Sequence, residues 1–275
     1  MLTEYIKTSL LRLDNEKKFY PVGLVRPAIA IVMCIAVILY LRLEFSYDTL
    51  NRKEDRIFRV VIEGNRDGKL AQTALTPATL GPYLEHRIPQ IERVARLYAP
   101  AVLTSMGRPT LKYGKKVLRA GGFMFVDSTF LDMFSLEMIS GDPENSLEPP
   151  FSVVLTKSAA GKLFGGEDPL GKTLFYDNGL RFTVRGVAED PSVYSTIGFD
   201  FLGSMNSLPD VTADSGVMKN WDRFNFYTFV LLRTNANLKE TVELIRDSLS
   251  EFWDPGVREM AGSPRIGLEP FRDHH

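Results

Sequence analysis

The segment Phe224–Arg233 reads FNFYTFVLLR and is dense in aromatic and β-branched residues, which predicts a well-buried strand. Asn237 or a neighbouring residue caps the helix predicted to follow. This helix carries apolar residues along one stripe: Leu238, Val242, Ile245, Leu249 and Phe252. Pro264–Phe271 then predicts a closing strand. Together these elements form one β-α-β unit.

A second β-α-β unit lies much earlier in the chain. Ile57–Ile62 is a β-branched run that predicts a strand, and Ile91–Ala99 predicts another. Between them, Thr76 and Pro77 indicate an N-cap and a first helical position. The predicted helix runs to about Ile88 and has an apolar face: Leu80, Leu84 and Ile88. Two such units packed together predict a split α/β lobe of the ferredoxin-like kind.

The residues between the two units predict an inserted, β-rich second lobe. Val102–Phe125 is rich in glycine and short apolar runs, which is typical of hairpins. Asp127 begins a predicted helical turn that continues to Phe134. The remaining predicted elements are a short strand at Ser152–Leu155, a short helix at Lys157–Phe164, and strands Thr173–Tyr176 and Phe182–Val187 paired around the turn Asp177-Asn178-Gly179. The fold class is therefore α+β with two lobes.

Before these lobes, Val22–Leu41 forms a nearly unbroken apolar stretch whose single charge is Arg26. A helix of about twenty residues extends about 30 Å, which is the thickness of a bilayer's hydrocarbon core. Arg26 lies near enough to one end to reach the headgroups. A buried core helix and a cleaved signal peptide are the alternatives, and no small-residue cleavage site follows Tyr40. We predict an uncleaved N-terminal transmembrane helix at residues 22–43.

The charges around this segment predict its orientation. Four basic residues precede it: Lys7, Arg12, Lys17 and Lys18. Because basic flanks tend to remain cytoplasmic, the N-terminus is expected inside a bacterial inner membrane and the main domain in the periplasm. Residues 1–21 carry apolar positions at helical spacing, which indicates an amphipathic leader in contact with membrane lipid. A frayed polar leader is the alternative.

Composition excludes several classes of protein. The chain has 275 residues, a formal charge of −1 and no basic block, so it lacks the electrostatic signature of nucleic-acid binding. Its one cysteine, Cys34, excludes an intramolecular disulfide and a cysteine-rich metal site. The domain beyond residue 43 must therefore be stabilised by its apolar core.

Residues 166–173 read GEDPLGKT and match the phosphate-binding pattern G-x-x-x-x-G-K-T. That mechanism needs a loop that follows a buried strand and leads into a helix. Here a predicted helix precedes the glycines and a predicted strand follows them, while Glu167 and Asp168 would place negative charge beside a phosphate. We therefore interpret Gly166, Gly171, Lys172 and Thr173 as part of a structural turn. A phosphate-binding enzyme is the alternative.

Other catalytic patterns are sparse. His86 lies on a polar helix face, and His274 and His275 end the chain. No serine or cysteine has an evident base partner, and the carboxylates are scattered. Trp221 and Trp253 are interpreted as core residues. We predict no catalytic residue, no metal site and no cofactor.

The chain resembles the FtsX-like/MacB-like ABC transporter permeases. The resemblance lies in segments that occur in order over nearly the whole chain: Glu44–Asp48, Asp55–Val60, Val126–Phe134, Gly141–Pro143, Ser152–Thr156, Phe164–Gly165, Asp168–Lys172, Phe182–Val187 and Glu189–Pro191. It implies a transmembrane helix followed by a periplasmic domain in which a "Porter" lobe is interrupted by a "Sabre" lobe. The implied boundaries are 44–101 for the first Porter part, 102–220 for Sabre and 221–275 for the second Porter part.

The resemblance also implies a function without an enzyme activity of the chain's own. Such permeases pair with a cytoplasmic ABC ATPase, act as dimers, and transmit ATP-driven motion to the periplasm for efflux or envelope processes. A periplasmic or outer-membrane partner is a further implication. Since the chain stops before the expected second membrane helix, we interpret it as a permease fragment. A single-span membrane-anchored periplasmic binding or sensor domain is the alternative function.

Overall fold

The computed structural model describes residues 29–35, 37–38, 53–66, 69–103, 108–177, 179–191, 197–249 and 265–271. The chain divides into two compact units, Met1–Asn51 and Arg52–His275. In the first unit, residues 29–35 and 37–38 are helical, and their side chains are exposed. Within the described residues, no helix combines the length and the apolar character that crossing a bilayer requires. The predicted leader at 1–21 and most of the segment 22–43 lie outside the described residues.

Fourteen strands form one sheet in the described part of the second unit. In chain order they are β1 (Ile57–Arg66), β2 (Lys69–Thr73), β3 (Leu75–Pro77), β4 (Ile91–Tyr98), β5 (Thr110–Tyr113), β6 (Lys116–Arg119), β7 (Phe123–Val126), β8 (Met138–Ser140), β9 (Ser152–Thr156), β10 (Thr173–Tyr176), β11 (Leu180–Ala188), β12 (Phe201–Ser204), β13 (Phe224–Leu232) and β14 (Arg265–Pro270). The helices are α1 (Leu80–Arg87), α2 (Pro100–Leu103), α3 (Phe130–Met133), α4 (Lys157–Phe164), α5 (Leu208–Thr212) and α6 (Leu238–Leu249).

The sheet begins with four antiparallel strands in the order β14-β1-β13-β4 and continues through β7-β12-β9-β11-β10-β5-β6. The units β1-α1-β4 and β13-α6-β14 therefore interleave, which is the strand order of a split β-α-β fold. Strands β4 and β7 join the two parts through two residue pairs, Leu97↔Val126 and Tyr98↔Phe125. The division into Porter and Sabre lobes stays a prediction.

Helices α1 and α6 contribute to one apolar core on the first four strands. Leu80, Leu84 and Ile88, the predicted apolar face of α1, are all buried. On α6, Ile245 and Leu249 are buried in the same cluster. Asn237 Oδ1 accepts a hydrogen bond from the Lys239 backbone N–H at 3.0 Å, so Asn237 holds the start of α6 as predicted.

The predicted start of α1 is wrong. Thr76 and Pro77 do not cap the helix but belong to β3, which pairs with β13, and α1 begins only at Leu80. The Thr76 hydroxyl is fully buried and donates to the Phe226 carbonyl at 3.0 Å. Because pairing with β13 satisfies this segment, the sheet overrides the local capping signal.

Aromatic residues fill the core of the second part of the sheet. Phe123 is buried, and its ring centroid lies 5.0 Å from Phe125, 5.2 Å from Tyr176 and 6.1 Å from Phe182. The predicted hairpin around Asp177–Gly179 is present, since β10 pairs with β11 from Thr173↔Thr183 to Tyr176↔Leu180. The strand and helix predicted at Ser152–Phe164 are also present as β9 and α4.

Candidate functional site

The segment that resembles a phosphate-binding loop forms a turn between α4 and β10. Gly171 has a φ of +73°, and its N–H donates to the Val184 carbonyl at 2.8 Å. The Lys172 N–H donates to the Pro169 carbonyl at 3.2 Å. These N–H groups are therefore used within the protein, whereas a phosphate cradle needs them directed at the ligand.

The charges of this turn are also paired internally. The Lys172 ammonium forms an ion pair with the Glu167 carboxylate and lies 5.3 Å from the ring centroid of Tyr113. The hydrogen bond between the two groups raises the pKa of Lys172 and lowers the pKa of Glu167. A carboxylate thus occupies the position next to the lysine that a phosphate would need. The geometry favours the structural turn over phosphate binding.

Three of the motif segments noted in the sequence meet around one open cavity of about 330 Å³. They are Gly141–Pro143, Asp168–Lys172 and Phe182–Val187. The cavity is lined by Asp142, Asn145, Ser146, Leu170, Gly171, Thr183, Val184 and Arg185. Segments far apart in sequence therefore come together at one place on the sheet.

Close packing of Gly141 against β11 holds this junction together. Gly141 has a φ of +94°, and a Cβ added to it would lie 2.4 Å from the Arg185 carbonyl oxygen. The Ser146 hydroxyl donates to the same carbonyl at 3.1 Å. The Asp142 carboxylate accepts hydrogen bonds from the Glu144 N–H at 3.0 Å and the Asn145 amide at 2.6 Å, and these bonds lower its pKa.

The segment Glu189–Pro191 also has a definite structural role, because it holds the N-terminus of α4. The Asp190 carboxylate accepts from the Ser158 N–H at 3.0 Å and from the Ser158 hydroxyl at 2.7 Å. These two bonds lower the pKa of Asp190. Lys157 and Glu189 form an exposed ion pair beside them at 3.0 Å.

We expect the contribution of Asp190 to stability to disappear in acid. A lowered pKa in the folded state means that the stabilisation is present above the ordinary aspartate value of about 3.9 and is lost as pH falls below it. Asp190→Asn should therefore cost up to about 1 kcal/mol at pH 7 and progressively less below pH 4. Urea unfolding of both proteins from pH 7 to pH 3 measures this difference. A constant difference across that range would contradict the assignment.

A partly buried ion pair that the sequence did not predict lies where β4 meets β7. The Asp127 carboxylate accepts from the Arg96 backbone N–H at 2.7 Å, from Nε at 2.9 Å and from Nη2 at 2.8 Å. Arg96 Nη1 donates to the Ala78 carbonyl at 2.7 Å. The two side chains are only 12% and 20% exposed. This ion pair reinforces a junction in which β4 and β7 are joined by two residue pairs.

Metal-binding groupings are not found in the part of the chain that the structure describes. There, no group of three or more His, Cys, Asp or Glu side chains could hold a metal ion. His86 is exposed on α1, and Trp221 packs edge-on against Tyr83 at 5.7 Å between ring centroids. His274, His275 and Trp253 lie outside the described residues.

Several solved structures share this architecture. A domain of a protein assigned as a permease from Porphyromonas gingivalis has a TM-score of 0.68 and 23% identity, over 80% of this chain and 91% of that chain. The periplasmic region of MacB from Actinobacillus actinomycetemcomitans has a TM-score of 0.54 and 16% identity, over 80% of this chain and 90% of that chain. The extracellular domain of the ABC-type transporter YknZ from Gram-positive bacteria has a TM-score of 0.53 and 16% identity, over 76% of this chain and 98% of that chain. The fold is thus that of extracytoplasmic transporter domains.

The sequence itself defines the family. The family model for the MacB-like periplasmic core domain matches residues 28–248, so the chain belongs to this family. The resemblance to MacB-like ABC transporter permeases is confirmed, and the chain carries the periplasmic domain of a membrane protein of that class. Among curated proteins, none matches the chain.

Proposed function

We propose that the chain is the membrane-anchored part of a permease subunit of a MacB/FtsX-type ABC transporter. In this proposal it transmits ATP-driven conformational change to the periplasm for efflux or envelope processes, and a separate cytoplasmic ATPase hydrolyses the ATP. The observation that carries the proposal is the family match across residues 28–248. The chain itself has no enzymatic role in this mechanism.

The N-terminal segment supports anchoring in the inner membrane. Residues 29–35 and 37–38 are helical, and the large apolar side chains there are exposed by 50% to 66%: Ile29, Ile31, Val32, Met33, Ile35, Val37 and Ile38. An apolar helical segment with exposed side chains suits a lipid environment. Together with the basic leader, it supports a cytoplasmic N-terminus and a periplasmic main domain.

The two ends of the sheet domain lie side by side, which suits a domain placed between two membrane helices. Strands β1 and β14 pair from Phe58↔Pro270 to Glu63↔Arg265, so the start of the first strand is next to the end of the last. Displacement of the chain segments that connect to the start of β1 and to the end of β14 would move these two strands together. The continuous sheet would then carry this motion towards β6.

Purification of the native full-length gene product tests the proposal. We expect a tagged protein extracted in mild detergent to retain an ABC ATPase, in equal amounts and with two copies of each. An unrelated single-span inner-membrane protein with the same tag is the control. Repeated purification without an ATPase would contradict the transporter proposal and favour a membrane-anchored binding or sensor domain.

A further inference from the structure

Within the described residues, one face of the sheet at β6, β5, β10 and β11 is left uncovered. Four side chains form a continuous row across it, because Lys112 pairs with Val117 and with Phe175, and Phe175 pairs with Arg181. We call this row, which crosses β6, β5, β10 and β11, the open face. The alternate residues Leu111, Leu174 and Phe182 point to the other side and are fully buried in the aromatic core.

The open face exposes two large apolar side chains to solvent. Val117 is 59% exposed and Phe175 is 41% exposed. The Arg181 guanidinium carbon lies 5.8 Å from the centroid of the Phe175 ring. An arginine held against an exposed aromatic ring is a combination enriched in the central residues of protein interfaces.

The open face continues along β11 into the cavity described above. Burial alternates from Arg181 to Arg185, with Phe182 and Val184 inward. Thr183 and Arg185 line the cavity, and Leu170 on the same cavity wall is 38% exposed. An extended segment that follows β11 from Arg181 would therefore reach a depression that can receive a side chain.

The charged side chains at the outward positions of the four strands are all basic, and the cavity at the end of the open face also has Asp142 in its lining. The outward positions of β5, β6, β10 and β11 up to Arg185 carry Lys112, Arg119, Arg181 and Arg185 but no carboxylate. The neighbouring Asp177 is engaged locally, since its Oδ1 accepts from the Thr110 N–H at 2.7 Å. Because the formal charge of the whole chain is −1, this local concentration of basic side chains favours a partner that carries negative charge.

We propose that the open face binds an extended acidic segment of a periplasmic protein partner, with an apolar side chain packed against Phe175. This inference rests on the proposed function, from which it takes the periplasmic location of the domain and the existence of a protein partner. A second copy of the chain is disfavoured because two such faces would repel each other.

Binding of a defined peptide tests this inference. The probe is a fluorescein-labelled ten-residue peptide of alternating Glu and Val, measured by fluorescence anisotropy with the full-length chain in neutral detergent. We expect saturable binding that weakens as salt rises. Lys112→Glu/Arg181→Glu should weaken it at least tenfold, and Phe175→Ser at least threefold. A peptide with Lys in place of Glu should not bind.

A charge-matched double variant distinguishes the effect of the open face on peptide binding from the effect of the chain's net charge. Lys219→Glu/Lys239→Glu replaces two exposed lysines outside the open face, and it changes the net charge as much as Lys112→Glu/Arg181→Glu does. It should bind the acidic peptide as the parent does. Equal weakening in both double variants, or no binding by the parent, would overturn the inference. So would binding to phosphatidylglycerol vesicles that depends on Lys112 and Arg181 while the peptide does not bind. An ATPase that co-purifies in the same preparation would leave the transporter proposal standing in each case.

Discussion

Asp127→Ala is expected to lower the free energy of unfolding by about 3–5 kcal/mol. The substitution removes three hydrogen bonds from Arg96 to one carboxylate. It leaves Arg96, whose side chain is only 12% exposed, without its anionic partner. A largely buried charge without its anionic partner costs more than the lost bonds alone, because the arginine cannot lose its proton and has little contact with water.

Asp132→Ala provides a matched control for Asp127→Ala. Asp132 pairs with Lys53 at 2.8 Å, but its side chain is 48% exposed. Removal of this surface pair should cost no more than about 1 kcal/mol. Urea denaturation of both variants measures the two costs. Similar small losses would mean that Arg96 finds solvent or another acceptor when Asp127 is removed.

The second large effect is expected for Gly141→Ala. A φ of +94° is already unfavourable for alanine, and the added Cβ would lie 2.4 Å from the Arg185 carbonyl oxygen and 2.7 Å from the Gly186 Cα. Both obstructing atoms belong to the backbone of β11, so relief requires the strand or the turn to move. We expect a loss of about 4 kcal/mol or more.

Gly171→Ala separates the two contributions to that loss. Gly171 has a similarly positive φ of +73°, but no atom lies within 4 Å of the position of an added Cβ. Its substitution should cost about 1–2 kcal/mol, which is the conformational penalty by itself. Thermal or urea unfolding of both variants gives the difference. Equal losses would show that Gly141 is needed for its backbone angle and not for its contact with β11.

Local periodicity was sufficient to predict the elements that build the fold. The buried faces of α1 and α6, the strand β13 and the hairpin at Asp177–Gly179 all follow from apolar spacing or from turn residues that act within a few positions. The order in which β14, β1, β13 and β4 pair agrees with the two β-α-β units because short connections allow few alternatives. Sequence patterns were adequate wherever the stabilising contacts were local.

Contacts between distant segments explain what the sequence could not predict. Thr76 and Pro77 have the residue types of a helix start, but in the structure they pair with β13, about 150 positions away. Arg96 and Asp127 belong to separate strands, and neither residue stands out in its own segment. The open face is likewise a property of the pairing of β5, β6, β10 and β11, because Val117 and Phe175 are neighbours only across Lys112.

The pairing of Phe58 with Pro270 has a mechanical consequence. A force that pulled the start of β1 away from the end of β14 would break the residue pairs between these strands one after another, beginning with Phe58 and Pro270. A force that moved both ends in the same direction would load none of these pairs. The domain can therefore follow a concerted displacement intact, whereas a spreading movement would peel β14 away. In the proposed transporter, the conformational change would therefore have to displace the start of β1 and the end of β14 in the same direction.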